Sequence, residues 1–483
     1  MALRHTAVKS IFWSGLENGS TSLLAFLALI VLAKFLQPTD FGVFSISLAV
    51  VEIAGIFTNL IFHDALVQRH TITESHFSGA FTVSIILGLV VYALLWVGFP
   101  YVAALVGDDR VSDVGRVLGL GLLVTGPAGV LAARQSREFG FRLLAIRTLA
   151  GRLCGSALGI LSALLGLGLW SLVIQYLAAM VLGAVTLLAC SPSHHIRITA
   201  NLRPVGDLLR YSITAITALA AGFLTKRIFV FGVGIFLGTE PAGFLNLAFR
   251  LVDTVWAVSA AAVSQVLLPT LSRLQQDRSR LLRAYRISLK GAAAVLYPGF
   301  ASLGILAPEL IQLLFGSKWT TASPYVLVLS LLTFVQVARL SAAPLLSATG
   351  HMTDVCLSNT STLVYMVAAI ALTHLSTDYV ALSIWAGSEI LIFVTLALAL
   401  HVRLQVQFVQ QLLDILTPLL AALSLIVVVQ ISRNLLPVDL PPHWKLLELG
   451  LIGASTYVAL MFAFGRQFMD PVVGMARAIL VKE

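Results

Sequence analysis

Apolar residues run along this chain in long blocks separated by short polar segments, and the length of those blocks is the first thing to be explained. By the rule that about 20 mostly apolar residues span a bilayer, about fourteen stretches qualify. They lie near 10–36, 40–65, 78–103, 113–136, 143–166, 167–190, 210–237, 241–267, 285–307, 321–347, 353–375, 378–401, 411–432 and 443–465. The shortest connection is "LLGLGLWSL", where Gly166 and Gly168 must turn the chain back almost at once. The first block has no short apolar core ending in a small-residue cleavage site, so it reads as a retained helix rather than a signal peptide. The pattern predicts an all-α polytopic membrane protein.

Composition agrees. The chain has 483 residues, of which 58% are hydrophobic and 11% charged, against roughly 25% charged in soluble domains. A net charge of +9 would point to nucleic acid in a soluble protein. Here the bias of cytoplasmic loops toward Lys and Arg accounts for it, and no nucleic-acid partner is expected. With both termini in the cytoplasm, 21 of the 31 Lys and Arg fall in inner segments and six in outer ones. The inner segments include "RQSREFGFRLLAIR", "SPSHHIRITANLRPVGDLLR" and "SRLQQDRSRLLRAYRISLK". The remaining four, Lys226, Arg227, Arg250 and Arg339, lie within spans.

The chain also reads as a duplication. "FLQPTDFGVF" begins at Phe35 and "FLGTEPAGFL" at Phe236, an offset of 201 residues that aligns Gly42 with Gly243 and Glu52 with Asp253. Six spans separate the copies, so the halves run parallel, a transporter plan in which substrate binds between the lobes. The expected organisation is an N-lobe over 1–190, a basic cytoplasmic linker over 191–210, a C-lobe over 211–401, and two C-terminal helices with a tail over 402–483.

Charges inside spans carry the functional argument. A Lys or Arg at mid-helix costs about 2.5–3.5 kcal/mol on insertion scales. Lys226 and Arg227 are neighbours, so they point about 100° apart on a helix. Two readings stay open: an ion pair with a neighbouring helix, or the cationic wall of a hydrated cavity that attracts an anion. Arg250 and Asp253 share a helix face. Arg339 lies closer to the cytoplasm, where a long side chain can reach water. Among membrane carboxylates, Glu52, Glu17, Asp253 and Glu389 are candidates for proton or sodium coupling, because a carboxyl held in a membrane can bind and release protons near neutral pH. Pro127, Pro269, Pro298 and Pro344 interrupt spans or lie at their edges and are expected to kink them. Cys154, Cys190 and Cys356 sit in or beside apolar runs without metal-ligand spacing. There is no phosphate-cradling glycine loop, metal set or nucleophile triad. The chain therefore reads as a transporter rather than an enzyme, with no cofactor beyond a coupling H+ or Na+.

Three stretches carry a resemblance: "FWSGLENGSTSLLAFLALIVLAKFLQPTDFGVFSISLAV", "LNLAFRLVDTVWAVSAAAVSQVLLPTLSRL" and "LIQLLFGSKWTTASPYVLVLS". They resemble Wzx-type polysaccharide flippases, more narrowly the exopolysaccharide branch with the colanic acid and xanthan flippases, within the superfamily of MATE exporters and the lipid II flippase MurJ. The resemblance implies two pseudo-symmetric six-helix lobes plus two C-terminal helices around a central cavity, working by alternating access. It implies an undecaprenyl-pyrophosphate-linked oligosaccharide as cargo, carried across a bacterial inner membrane from the cytoplasmic to the periplasmic leaflet, with polysaccharide polymerase or assembly proteins as partners. In such flippases basic cavity residues face pyrophosphate or acidic sugars, a role that carries over to Arg250 and to Lys226 and Arg227. The early arginine cluster of lipid II flippases is missing here, which argues against lipid II as cargo. The rival reading is a cation-coupled multidrug exporter, for which three mid-span basic residues are the wrong charge.

Overall fold

The computed structural model describes residues 22–69, 72–190, 196–437 and 440–465. Among the described residues there are helices and turns and no strand. The first series is α1 Ser22–Phe35, α2 Pro38–Gln68, α3 Glu74–Val106, α4 Arg110–Gly119, α5 Gly121–Arg137, α6 Phe141–Leu164 and α7 Trp170–Cys190. A second series follows: α8 Arg203–Phe236, α9 Thr239–Leu274, α10 Arg278–Ile305, α11 Ala307–Phe315 with a short 3₁₀ turn Ser317–Ala322, α12 Ser323–Ala348, α13 Met352–Thr373 and α14 Asp378–Leu404. Two more close the chain, α15 Phe408–Leu435 and α16 Pro442–Phe464. Helix for helix, the second series repeats the first: α9 begins at Thr239 where α2 begins at Pro38, and α12 at Ser323 where α5 begins at Gly121. Even the short amphipathic α4 has its counterpart in α11.

The chain is a multi-pass membrane protein. Ten described helical segments are long and apolar enough to cross a membrane, with α4 and α5 together making one of them, and α10 with α11 adds an eleventh if that bent pair is one span. The sequence count of about fourteen spans is higher. Part of its first span, 10–21, lies outside the described residues, and its seventh and eighth coincide with the 34-residue α8 and 36-residue α9. The helices run on through Pro127, Pro298 and Pro344. The sharp break is elsewhere: α10 and α11 meet at 68°. There the guanidinium of Arg433 in α15 donates to the Ile305 carbonyl and grips both oxygens of Glu309 at 2.9 Å. A broken helix end is satisfied by an arginine instead of by the next turn.

The chain divides into two compact units, Met1–Asn246 with Met366–Ala381, and Leu247–Tyr365 with Leu382–Glu483. In the first unit, Phe62, Leu66, Phe77, Val130 and Val205 form a dry core at one end of α2, α3, α5 and α8. The stretch expected as a linker is partly built into it. Residues 191–195 lie outside the described residues. Ile196 packs against the core, while the backbone N–H groups of Arg197 and Thr199 donate to Ser78 at 3.2 Å and Thr82 at 3.0 Å. Hydroxyls one helical turn apart on α3 match alternate residues of an extended strap. At Arg203 the chain is already helical.

Glycine sets two close approaches in this unit. A Cβ on Gly42 would run into the carbonyl oxygen of Thr239, and a Cβ on Gly243 into that of Pro38. Pro38 and Thr239 are themselves related by the 201-residue offset, so the contact is reciprocal. The first turns of α2 and α9 meet there backbone to backbone. In the α6–α7 hairpin, turned by Gly166 and Gly168 at φ +80° and +51°, a second stripe does the same. Cβ atoms on Gly151, Gly155 and Gly159 would stand 2.5, 2.7 and 2.7 Å from α7 atoms of Ala179 and Gln175. Without Cβ atoms the helices approach closely enough to gain dispersion contacts that lipid chains cannot replace.

In the second unit, buried tyrosines find acceptors on neighbouring helices. Tyr297 donates to the Phe334 carbonyl at 2.9 Å and Tyr457 to that of Ala294 at 2.8 Å. Asp277 caps α10 by accepting the Arg280 N–H at 3.1 Å, and that backbone bond holds its carboxyl below the ordinary aspartate range.

Gly155→Leu is expected to destabilise the purified protein by about 1–3 kcal/mol through overpacking. A clear drop in thermal unfolding temperature in detergent should follow. Gly98→Leu, at a glycine with nothing within 4 Å of an added Cβ, should leave that temperature nearly unchanged.

Candidate functional site

The first unit brings two of the sequence candidates together. Phe229, Val230 and Val233, all 4% exposed or less, bury one face of α8. Gly234 leaves room for Ile46 of α2 to pack closely against that helix. This packing places Arg227 of α8 against Glu52 of α2, and the Arg227 Nε and a Glu52 carboxylate oxygen form an ion pair. The contacting nitrogen and oxygen are themselves buried, while the two side chains keep 26% and 21% of their surface exposed. One turn before Arg227, Phe223 lies under the guanidinium, 4.9 Å from its carbon to the ring centroid. Tyr176 of α7 is within electrostatic reach of both charges and meets Phe44 of α2 edge-on at 6.2 Å. Lys226, next to Arg227, is half-buried.

The second unit holds the other candidates. Arg250, on α9, is half-buried and Asp253 exposed. Beside Arg250, Phe249 packs edge-on against Trp385 of α14, with ring centroids 5.0 Å apart. Glu389 follows one turn after Trp385 and is only 6% exposed. Arg339 on α12 is exposed. Glu17 lies outside the described residues.

Of the two readings open for Lys226 and Arg227, Arg227 has the carboxylate partner on a neighbouring helix that an ion pair calls for, and part of its side chain stays exposed. Glu52 is the carboxylate that packing supplied, and the sequence showed it without a base one turn away because its base sits on another helix.

Other ionic groups went unnoticed in the sequence. Asp414 of α15, 4% exposed, accepts from Arg286 of α10 at 2.6 and 2.7 Å and from Lys290 at 3.1 Å. Beside it Tyr285 donates to Gln411 at 3.1 Å. In the first unit Arg134, 9% exposed, grips Glu74 and Glu138 at 3.0 Å, and Arg137 donates to the carbonyls of Leu66, Val67 and Arg69 that end α2. The charge sorting placed Arg134, Arg137, Arg286 and Lys290 in inner loops. An arginine's partner across 60 or more residues leaves no local signal. Among the described residues, no three His, Cys, Asp or Glu side chains gather as a metal set.

Residues 31–324 match the family model described as polysaccharide biosynthesis protein. The chain is 28% identical over 327 residues to the succinoglycan biosynthesis transport protein ExoT of Rhizobium meliloti, covering 68% of this chain and 66% of that one. It is 21% identical over 354 residues to the lipopolysaccharide biosynthesis protein WzxC of Escherichia coli, covering 71% and 70%. The match thus spans about two thirds of these relatives' lengths. Among solved structures, the lipid II flippase MurJ in an inward closed conformation superposes with a TM-score of 0.79 at 12% identity, over 95% of this chain and all of that one. A MATE multidrug transporter of the MOP superfamily in an inward-facing conformation gives 0.61 at 15% identity, over 82% and 95%. At these identities the two structures speak for the fold alone, and that fold is MurJ- and MATE-like.

Two sets of variants should separate the candidate site from structural ion pairs. Lys226→Ala, Arg227→Ala and Arg250→Ala are each expected to cut polymer export by about tenfold, the loss of one charge-assisted hydrogen bond, with the protein still present in the membrane by immunoblot. Wild-type export in all three would remove these residues from the site. Asp414→Ala, by contrast, leaves Arg286 and Lys290 facing each other and should lower the unfolding temperature. Its effect on export should be no larger than the fall in folded protein.

Proposed function

The chain belongs to the polysaccharide biosynthesis protein family, and from that premise we propose that it is a flippase, not an enzyme. Its cargo is an undecaprenyl-pyrophosphate-linked oligosaccharide, moved from the cytoplasmic to the periplasmic leaflet of a bacterial inner membrane with both termini in the cytoplasm. The product feeds the assembly of exopolysaccharide, capsule or O-antigen, with a polymerase downstream.

The observation that carries this reading is the partly exposed side chain of Arg227, with Lys226 beside it, inside a helix of a transporter fold. Cationic side chains are retained in hydrocarbon where they act, and a guanidinium binds phosphate oxygens in bidentate fashion. Relatives named for polysaccharide and lipopolysaccharide biosynthesis, and a fold shared with a lipid II flippase, support it. A lipid-linked pyrophosphate headgroup joins these lines, because its charge suits the arginine and its prenyl tail can stay in lipid while the headgroup crosses. Arg250 and Arg339 are assigned to the same cargo from the second unit. An ion gradient supplies the energy, with Glu52, Glu389, Asp253 and Glu17 as the candidate coupling carboxylates. The multidrug alternative keeps the shared fold, but Lys226, Arg227 and Arg250 are the wrong charge for a cationic cargo.

Deleting the gene should make lipid-linked oligosaccharide accumulate in the cytoplasmic leaflet, measured by extracting the lipid-linked sugars and testing their access to an impermeant label. A plasmid copy should clear them. Accumulation in the outer leaflet, or none at all with polymer still exported, would overturn the proposal.

A further inference from the structure

Glu52 faces a choice that the flippase reading, on which this inference rests, does not define. We propose that Glu52 is a stand-in for the cargo's phosphate: it holds Arg227 until a phosphoryl group displaces it, and the released carboxylate then takes up a proton, so that cargo and proton bind together at this site and any driving gradient acts through another carboxylate.

The geometry sets up the competition. Phe223 covers one flat face of the guanidinium at 4.9 Å, and Glu52 holds the edge carrying Nε. Anions bind a guanidinium at its edges, where the N–H groups point. A phosphate that takes the Nε edge must expel Glu52. A phosphate that takes another edge leaves two anions sharing one cation. Like charges at that range drive the weaker acid of the two to bind a proton, and a carboxyl is a weaker acid than the first ionisations of a pyrophosphate. Both routes end with Glu52 neutral and Arg227 on phosphate. The proton comes from water reaching the partly exposed side chains and ends on a carboxylate oxygen. No bond of the cargo breaks.

The surroundings leave the carboxyl as the group that responds. On α8 Lys226 is the chain neighbour of Arg227, and Tyr176 of α7 is within electrostatic reach of both charges. The sequence of α3 carries no titratable side chain between His76 and Tyr92, and that of α4 and α5 none between Arg116 and Arg134. Nearer the start of α4, Asp113 is exposed and Arg116 turns to the Trp96 carbonyl at 3.1 Å. An added anion does not discharge an amine or ionise a phenol, but it does favour a protonated carboxyl. The linkage is reciprocal: if cargo promotes proton binding, protons promote cargo binding by the same factor.

The test uses purified full-length protein and, as probe, a farnesyl-pyrophosphate-linked glucose, whose two phosphoryl groups each hold one negative charge and do not titrate near neutral pH. Calorimetric titration near neutral pH in two buffers of different ionisation enthalpy gives the protons taken up on binding. The probe contributes no protons of its own, and Glu52→Gln subtracts those taken up by the rest of the protein. Wild type should take up more protons than the variant, and Glu52→Gln should bind the probe about threefold to tenfold more tightly because the competing anion is gone. In wild type alone, probe addition should raise the infrared band of a protonated carboxyl, which does not depend on the variant's folding. Binding with no such band, an equal proton count, or weaker binding by Glu52→Gln overturns the inference and leaves the flippase reading standing. No binding of the probe by wild type overturns both.

Discussion

An ionised side chain midway along a spanning helix costs about 2.5–3.5 kcal/mol unless an opposite charge, a carbonyl or water meets it. The described structure shows opposite charges and carbonyls in this role, toward the ends of spans as well as within them. Asp414 is met by two cations, Arg286 and Lys290. Arg433 is met by a carboxylate and by the open end of a broken helix. Arg227 is met by Glu52. The last differs in its carboxylate: the Glu52 side chain is 21% exposed, against 5% for Asp414 and 9% for Glu309, and the functional reading depends on that difference.

The backbone contributes through glycine. The reciprocal approach of Gly42 to Thr239 and of Gly243 to Pro38 turns a weak resemblance between two sequence stretches into a physical contact. A duplicated turn that packs on its own copy needs the same small residue twice, once for each side of the local twofold. The α6–α7 stripe applies the same rule without symmetry: three glycines, one turn apart, bring a hairpin together where lipid offers no hydrophobic drive.

Family and fold then narrow the chemistry without supplying it. A chain of the polysaccharide biosynthesis protein family, built like MurJ and MATE transporters, needs a way to bring a charged sugar headgroup past hydrocarbon. A guanidinium that trades a resident carboxylate for phosphate would offset one of the headgroup's two negative charges with a proton, since a proton arrives as the phosphate does. That limits the rise in energy of the loaded site through uncompensated charge.

Much was legible in the residues themselves. Twenty-residue apolar blocks specify spanning helices because the bilayer leaves a backbone few other options. The skew of Lys and Arg pointed to an orientation, and the offset of 201 marked the repeat. Lys226, Arg227 and Glu52 stood out because a charge in such blocks is rare. What the chain could not announce was pairing: Glu52 with Arg227, Asp414 with Arg286 and Glu309 with Arg433 each join residues more than 100 positions apart. The break between α10 and α11 has a local mark in Pro308, in the first turn of α11, but the arginine that meets the loose Ile305 carbonyl lies far along the chain at Arg433. Periodicity and composition act along the chain and can be read there. Which charge answers which depends on how helices pack side by side, and only the tertiary structure decides that.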